Sequence, residues 1–180
     1  MTKTKRTGWR AGVAILGALA MLTSAAAATP ARARGAGPLR DLQPVTSQPT
    51  DGATAQVEAT ESGGTTTVDI KVQGLDHAAA GARLGAHVHV GPCVAGNGAA
   101  AGPHYNASGV IPPVVNDQTE VWLDFTIQAN GTGRASATVP FSIAPGAAAS
   151  VVIHAEPTST GPTPPPGAAG ARRACLPVRF

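Results

Sequence analysis

Aromatic and charged residues are both scarce in this chain. Phe, Trp and Tyr together make up 3% of its 180 residues, and Asp, Glu, Lys and Arg make up 13%. With so few aromatic side chains, a core has to be built from Val, Ile, Leu and Ala. Four of the thirteen Lys and Arg precede residue 29, whereas all ten Asp and Glu follow it, so residues 29–180 carry a formal charge of −1. This balance does not indicate a basic nucleic-acid surface, and we expect no nucleic-acid partner.

A membrane-spanning length of apolar sequence is also missing. The apolar run at residues 11–22 is shorter than the roughly 20 residues that cross a bilayer. It follows a basic start and precedes the small residues 24–28, which is typical of a secretory signal peptide. We predict a signal peptide over residues 1–28, with a membrane anchor as the alternative. The signal peptide predicts a secreted or extracytoplasmic location. Because the Ala- and Gly-rich composition favours a bacterial source, this location is the cell envelope or the medium.

No segment after residue 28 carries the periodicity of an amphipathic helix. Residues 29–52 are rich in Pro, Ala, Gly and Arg, and we expect a flexible linker there. Residues 53–180 are the predicted domain. Alternating, β-branched stretches predict strands at 55–59, 65–72, 86–90, 121–128, 134–139, 149–154 and 174–180. Short strands separated by turn signals favour an all-β sandwich or barrel, with an immunoglobulin-like sandwich as one form.

Residues 129–133, Ala-Asn-Gly-Thr-Gly, form a hairpin signal. We therefore expect the strand at 134–139 to pair back on the strand at 121–128.

The chain has only five histidines, and two of them, His87 and His89, stand two residues apart. His87 and His89 alternate with apolar residues, so a strand would present both imidazoles on one face. Such a pair suits a metal with bond lengths near ~2 Å, although a half-exposed polar pair is the alternative. His104 and His154 could complete a four-imidazole array, which suits Cu(II). We expect His77, in Gly-Leu-Asp-His, to be a solvated loop residue.

Four motifs follow one another along the domain. They are Gly-Ala-His-Val-His at 85–89, Ala-Gly-Pro-His-Tyr-Asn at 101–106, Val-Val-Ile-His-Ala-Glu at 151–156 and Gly-Ala-Arg-Arg-Ala-Cys at 170–175. Together they resemble the copper/zinc superoxide dismutase family, which has G-F-H-V-H, A-G-P-H-F-N, V-V-H-E and G-S-R-L-A-C-G at these places. A cysteine soon after the second histidine resembles the bacterial secreted branch. The resemblance covers residues 53–178.

The resemblance implies a Greek-key β-barrel of about eight antiparallel strands. It implies a superoxide substrate and a copper ion bound by His87, His89, His104 and His154. It further implies a disulfide between Cys93 and Cys175. Two catalytic roles follow: Arg172 guides the anion, with Arg173 as a competing candidate, and His104 takes up a proton and delivers it.

The family's zinc ligands are missing. Its zinc site needs two further histidines and an aspartate soon after the residue that matches His104, yet residues 105–153 contain no histidine. We therefore predict a copper-only member without structural zinc. Asp117, Glu120 or Glu156 could instead accept a hydrogen bond from His104, although for each one singly a solvated carboxylate is the more common case. Residues 156–170 hold a single acid and no Lys, which predicts an open site with weak electrostatic steering.

The predicted function is the disproportionation of superoxide to O2 and hydrogen peroxide by an exported enzyme. One alternative is a non-enzymatic copper-binding or copper-buffering protein on the same fold. Arg172 counts against it, because a buffer does not need a residue that guides an anion. A second alternative is an exported β-domain without a metal, against which the four ordered histidines count. The sequence does not indicate an oligomeric state.

Overall fold

The structure, a computed structural model, describes residues 1–2, 31–44 and 46–180, so the predicted signal peptide beyond residue 2 lies outside the described residues. Within the described part, regular structure consists of β-strands and two short 3-10 turns, His77–Ala79 and Gly98–Ala101. The strands are β1 (Ala31–Pro38), β2 (Arg40–Asp41), β3 (Thr54–Ser62), β4 (Thr65–Gln73), β5 (Arg83–Leu84), β6 (Ala86–His89), β7 (Phe125–Thr126), β8 (Thr132–Val139), β9 (Ser150–His154) and β10 (Arg172–Pro177). Among these residues, no helix has the length and hydropathy needed to cross a bilayer.

Two antiparallel four-stranded sheets make up most of the fold. One has the order β1-β3-β4-β8 and the other the order β2-β10-β9-β6, while β5 and β7 form a small separate pair. Both main sheets join strands that are distant in sequence, since β4 pairs with β8 and β6 pairs with β9. The predicted all-β architecture of antiparallel strands is confirmed.

The core lies on the inner faces of these strands. Every second residue is buried in β4 and in residues 55–59 of β3, so the alternation in the sequence matches the burial there. The core is mainly aliphatic, as predicted, and Phe125 is the aromatic member of its buried set in the described chain. Phe125 packs against the backbone at Gly133, where an added Cβ would lie 2.3 Å from its ring. The glycine therefore provides the space that the largest core side chain needs.

The linker prediction for residues 29–52 is wrong over residues 31–38. These residues form β1, which pairs with β3 along its whole length, from Ala31↔Glu61 to Pro38↔Thr54. The prediction is also wrong over β2, which lies in the same segment and pairs with β10. Ala, Gly and Arg have little intrinsic strand preference, so composition indicated a tether. The open backbone edge of β3 decides the structure instead, because strand formation depends more on the available partner than on propensity.

The predicted hairpin partner is also wrong. The turn at 129–133 is present, with the Gly131 N–H donating to the Gln128 carbonyl at 2.9 Å. The following strand β8 pairs with β4, however, in the register Thr66↔Val139 to Gln73↔Thr132. Of the predicted strand at 121–128, only β7 enters a ladder, and its partner is β5. A turn signal specifies where the chain reverses, but competing partners elsewhere decide which edge it joins.

Candidate metal centre

Four of the five histidines meet at one point in the fold. His87 and His89 lie on β6, and His154 ends the adjacent strand β9. An isolated bridge between His89 and His104 brings the loop that carries His104 onto the same edge. One ligand nitrogen of each histidine lies within 4.8 Å of the other three. His87 and His89 are fully buried, His154 is 3% exposed, and His104 is half-buried.

The outward-facing ring nitrogen of each histidine has a hydrogen-bond partner in the protein. The contacts are His87 Nε2 to Thr158 Oγ1 at 2.7 Å, His89 Nδ1 to the Gly102 carbonyl at 3.1 Å, His104 Nδ1 to Glu120 Oε2 at 2.8 Å and His154 Nδ1 to the Gly170 carbonyl at 3.4 Å. A carbonyl oxygen only accepts, so His89 and His154 must donate from Nδ1 and keep a lone pair on Nε2. Partners of this kind orient metal-binding imidazoles in general.

The inward-facing nitrogens are acceptors without donors. Nε2 of His89 and Nε2 of His154 lie 3.3 Å apart, and with Nδ1 protonated on both rings no proton lies between them. Nδ1 of His87 is buried and has no hydrogen-bond partner. Buried lone pairs that face one another are costly unless a cation or donor satisfies them. The residues present therefore fit a metal ion with nitrogen ligands.

Thr158 and Asp124 decide which nitrogen of His87 faces inward. The Thr158 hydroxyl donates to Asp124 Oδ1 at 2.5 Å and its N–H donates to Asp124 Oδ2 at 2.8 Å. Because the single hydroxyl proton is used there, Thr158 Oγ1 must accept from His87 Nε2–H. Asp124 is itself nearly buried and lies 3.5 Å from Arg83. Sequence reasoning missed Thr158, since it stands 71 residues from His87 in a Pro- and Gly-rich loop with no motif.

We expect Thr158→Val to weaken metal binding by roughly 10- to 100-fold, the usual cost of removing a hydrogen-bond partner from a ligand. The valine has a similar shape but leaves His87 Nε2–H without an acceptor, so the tautomer is no longer fixed. Copper affinity measured by competition with a chromophoric chelator checks this result. Thr138→Val is the matched control, because Thr138 is exposed on β8 and contacts Thr67 instead. Equal affinity in both variants would contradict the role of Thr158.

Burial keeps His87, His89 and His154 neutral. It lowers the pKa of His87 far below its usual range, with added repulsion from His104, His154 and His89. Burial likewise lowers the pKa of His89 to about 3 and that of His154 to about 4. Metal ions bind the neutral imidazole, so the site is prepared to bind one at neutral pH.

These shifts predict that the metal-free protein loses stability on mild acidification. Unfolded histidines take up protons near pH 6.5, whereas His89 and His154 in the fold do so only near pH 3 and pH 4. Between those values the unfolded state binds more protons, so the free energy of unfolding falls as pH falls and is fully recovered above pH 6.5. From pH 7 to pH 5 we expect a loss of roughly 2 kcal/mol for each buried imidazole.

Urea unfolding of the metal-free protein at several pH values between 5 and 7.5 measures this loss. His77→Gln should leave the profile unchanged, because His77 is exposed and lies outside the cluster, as expected from the sequence. A constant free energy of unfolding across this interval would contradict the burial argument.

Glu120 is the carboxylate that contacts His104. It is 4% exposed and also accepts hydrogen bonds from Trp122 Nε1 at 3.0 Å and Asn106 Nδ2 at 3.2 Å. Burial alone would raise its pKa, but the hydrogen bonds from His104, Trp122 and Asn106 outweigh burial and lower it. Glu120 is therefore ionised, and its Oε2 accepts a hydrogen bond from the Nδ1–H of His104. Asp117 and Glu156 are exposed, so of the three carboxylates considered from the sequence Glu120 is the one that contacts His104.

Arg172 lies beside the histidine cluster. Its Nη1 donates to the Gly98 carbonyl at 2.6 Å and its Nη2 to the Gly102 carbonyl at 2.7 Å. Together with His104, His154 and Glu120 it lines an open cavity of about 590 Å³. The competing candidate, Arg173, stands where the register of β10 shifts and does not line this cavity. The structure thus places a positive charge, held by two carbonyls, on the wall of the cavity that His104 and His154 also line.

A disulfide joins Cys93 to Cys175, the pair that the family resemblance implied. It links the loop after β6 to the last strand, across 82 residues of sequence. Both cysteines are buried in a small apolar cluster with Leu42, Ala101 and Val152. The bridge thereby fixes the loop that supplies the acceptors for Arg172.

Comparisons with known proteins agree with this geometry. The family model described as copper/zinc superoxide dismutase matches residues 52–176. Among solved structures, copper/zinc superoxide dismutase from Brucella abortus is similar in fold, with a TM-score of 0.56 at 18% identity, covering 84% of this chain and all of the other. A double mutant of a superoxide dismutase-like protein from Bacillus subtilis gives a TM-score of 0.53 at 20% identity, covering 81% of this chain and 95% of the other. No curated protein sequence matches the chain significantly. With its family model spanning most of the domain, the chain belongs to the copper/zinc superoxide dismutase family.

Proposed function

We propose that the protein is an exported superoxide dismutase that uses copper and holds no structural zinc. The observation that carries this proposal is the meeting of four imidazole nitrogens, with lone pairs inward, beside the fixed guanidinium of Arg172. A redox metal and an anion guide in one cavity suit a small anionic substrate that exchanges single electrons.

The donor set supports copper as the metal. An all-imidazole site suits Cu(II), whereas zinc commonly recruits thiolate or carboxylate ligands. Both cysteines are in the disulfide and cannot bind a metal. Within the described residues, these histidines are the one group of this type that could hold an ion. The other nitrogen of His104 faces Glu120, which supports a site that uses a carboxylate where relatives with zinc use the second metal.

Different residues would then bind the metal, attract the substrate and transfer a proton. Copper bound by these nitrogens supplies one-electron chemistry, in which one superoxide is oxidised to O2 and a second is reduced to hydrogen peroxide with two protons. Arg172 attracts the anion and holds it at the mouth of the cluster, since its guanidinium stays protonated. The Nδ1–H of His104 donates to Glu120, so Nε2 is the atom of His104 that can take up a proton and pass it to the reduced substrate.

Export is supported by two features. The basic, apolar and small-residue order of residues 1–28 is typical of a signal peptide. A buried disulfide is typical of proteins that fold in an oxidising compartment.

Metal content and superoxide decay, measured on the same sample, test the proposal. The protein is purified from a secreting host and incubated with equimolar copper and zinc. We expect one copper per chain, less than a tenth as much zinc, and rapid superoxide decay that disappears with the copper. Stoichiometric zinc would overturn the copper-only assignment. Bound copper without superoxide decay would favour the alternative of a copper-buffering protein.

Arg172→Ala should lower the rate of superoxide decay by roughly 10- to 100-fold at unchanged copper content, because the attraction of the anion to the cavity is lost. The remaining rate should depend less on ionic strength than that of the parent protein. Arg134→Ala, an exposed arginine on β8, is the matched control for loss of one positive charge. If the two variants react equally fast, Arg172 does not guide the substrate.

A further inference from the structure

A short segment before the family domain packs onto the disulfide loop. We call residues 39–44 the strap, and residues 93–102 the disulfide loop. The strap precedes residues 52–176, which the family model matches. Its strand β2 forms the edge of the second sheet and pairs with β10, with Arg40 opposite Cys175 and Asp41 opposite Ala174. The strap is therefore part of the sheet that carries the metal-centre histidines.

Three contacts hold the disulfide loop against the strap. Arg40 Nη1 donates to the Cys93 carbonyl at 2.7 Å. The Asp41 carbonyl accepts from the Gly96 N–H at 2.8 Å. Leu42, 5% exposed, packs among the two cysteines and Ala101. Two hydrogen bonds, at Cys93 and Gly96, and the apolar contact of Leu42 thus hold the disulfide loop against the strap.

The same loop supplies both carbonyls that hold Arg172. Gly98 lies between Leu42 and Arg172, since a Cβ added there would lie 3.8 Å from Leu42 Cδ1 and 3.4 Å from Arg172 Cβ. The Gly102 carbonyl accepts from Arg172 Nη2 and also from His89 Nδ1. A shift of this loop would therefore move the guanidinium and disturb the orientation of His89 together.

We propose that Arg40 and Leu42 are positioning residues for Arg172, acting through the disulfide loop. The strap keeps the Gly98 and Gly102 carbonyls at the distance that holds the guanidinium over the cavity, and it shields the disulfide from reductants. The part that concerns the substrate anion rests on the proposed function, whereas the shielding of the disulfide does not.

Two measurements on Arg40→Ala and Leu42→Ala test this inference. The first is the affinity of the copper-loaded protein for azide, followed by visible absorption. The second is the rate at which dithiothreitol reduces the disulfide in the metal-free protein. For Arg40→Ala we expect azide to bind about fivefold more weakly and reduction to be about fivefold faster, as for the loss of one intramolecular hydrogen bond. Leu42→Ala should change both properties in the same direction, because the disulfide loop loses its apolar contact with the strap. Copper is added to saturation, so that every variant carries the same copper content when azide is titrated.

Matched variants separate positioning from folding. Arg34→Ala removes a nearby arginine on β1 whose contact is Glu58, and it should behave as the parent protein. Arg40→Lys retains one donor and should restore much of both properties, while Leu42→Met retains the apolar volume if Leu42→Ala fails to fold.

Parental azide affinity and parental reduction rate in Arg40→Ala, together with no effect at Leu42, would overturn the inference. If the parent protein binds copper but does not remove superoxide, the enzyme proposal fails on its own. Azide binding and disulfide reduction then still test whether Arg40 and Leu42 position Arg172 and shield the disulfide.

Discussion

His89→Ala should abolish tight copper binding and reduce superoxide decay to the background of the buffer. His89 is fully buried and offers Nε2 to the centre while its Nδ1–H is held by the Gly102 carbonyl. Loss of this ligand should cost more affinity than the roughly 100-fold that removal of a ligand's hydrogen-bond partner can cost. Because the metal carries the redox step, activity should fall with metal content.

Copper per chain and the rate of superoxide decay are measured on the same sample of His89→Ala. His77→Ala is the matched control, since this histidine is exposed on a 3-10 turn away from the cluster. Urea unfolding of both metal-free variants shows whether the fold has survived the substitution. Full copper occupancy and parental activity in His89→Ala would contradict the assignment of the centre.

Among the substitutions described, removal of the disulfide should produce the largest loss of stability. Cys93 and Cys175 stand 82 residues apart, and closing a loop of that length is worth about 4–5 kcal/mol in the chain-entropy model. Both side chains are buried among apolar residues, so alanine is the suitable replacement at each position. The double variant Cys93→Ala, Cys175→Ala should therefore unfold at a much lower urea concentration than the oxidised parent.

The parent protein with its disulfide reduced provides the control. It should unfold close to the double variant, whereas the oxidised parent should remain well separated from both. All samples are compared without metal, so that ligand binding does not add to the free energy of unfolding. A difference below ~1 kcal/mol would show that the cross-link contributes little to the unfolding equilibrium.

Parts of the candidate site could be predicted from the sequence because its motifs are local. His87 and His89 share a strand, and alternation alone places them on one face. The resemblance to family motifs then supplied His104, His154, Arg172 and the cysteine pair. Thr158 could not be predicted, because nothing near it in the chain indicates a contact with His87. The choice of Glu120 over Asp117 also depends on which side chain the folded loop buries.

The alternation of apolar and polar residues in β3 and β4 similarly predicted where these strands lie and which of their faces are buried, because such a pattern depends only on neighbouring residues. Partners of strands are different, because every exposed strand edge competes for them. That competition placed β1 on β3 and β8 on β4, against expectations based on composition and turn signals.

The sequence by itself determined the strand character of this protein, its aliphatic core and the identities of the histidines that converge. Only the tertiary structure decided which nitrogen of each ring faces inward, because tautomers follow from hydrogen-bond partners supplied by distant loops. It alone also showed that the strap contacts the disulfide loop, whose Gly98 carbonyl accepts a hydrogen bond from Arg172. The physical reason is that periodicity acts over neighbouring residues, whereas a hydrogen-bond acceptor can come from any part of the chain that packing brings within about 3 Å.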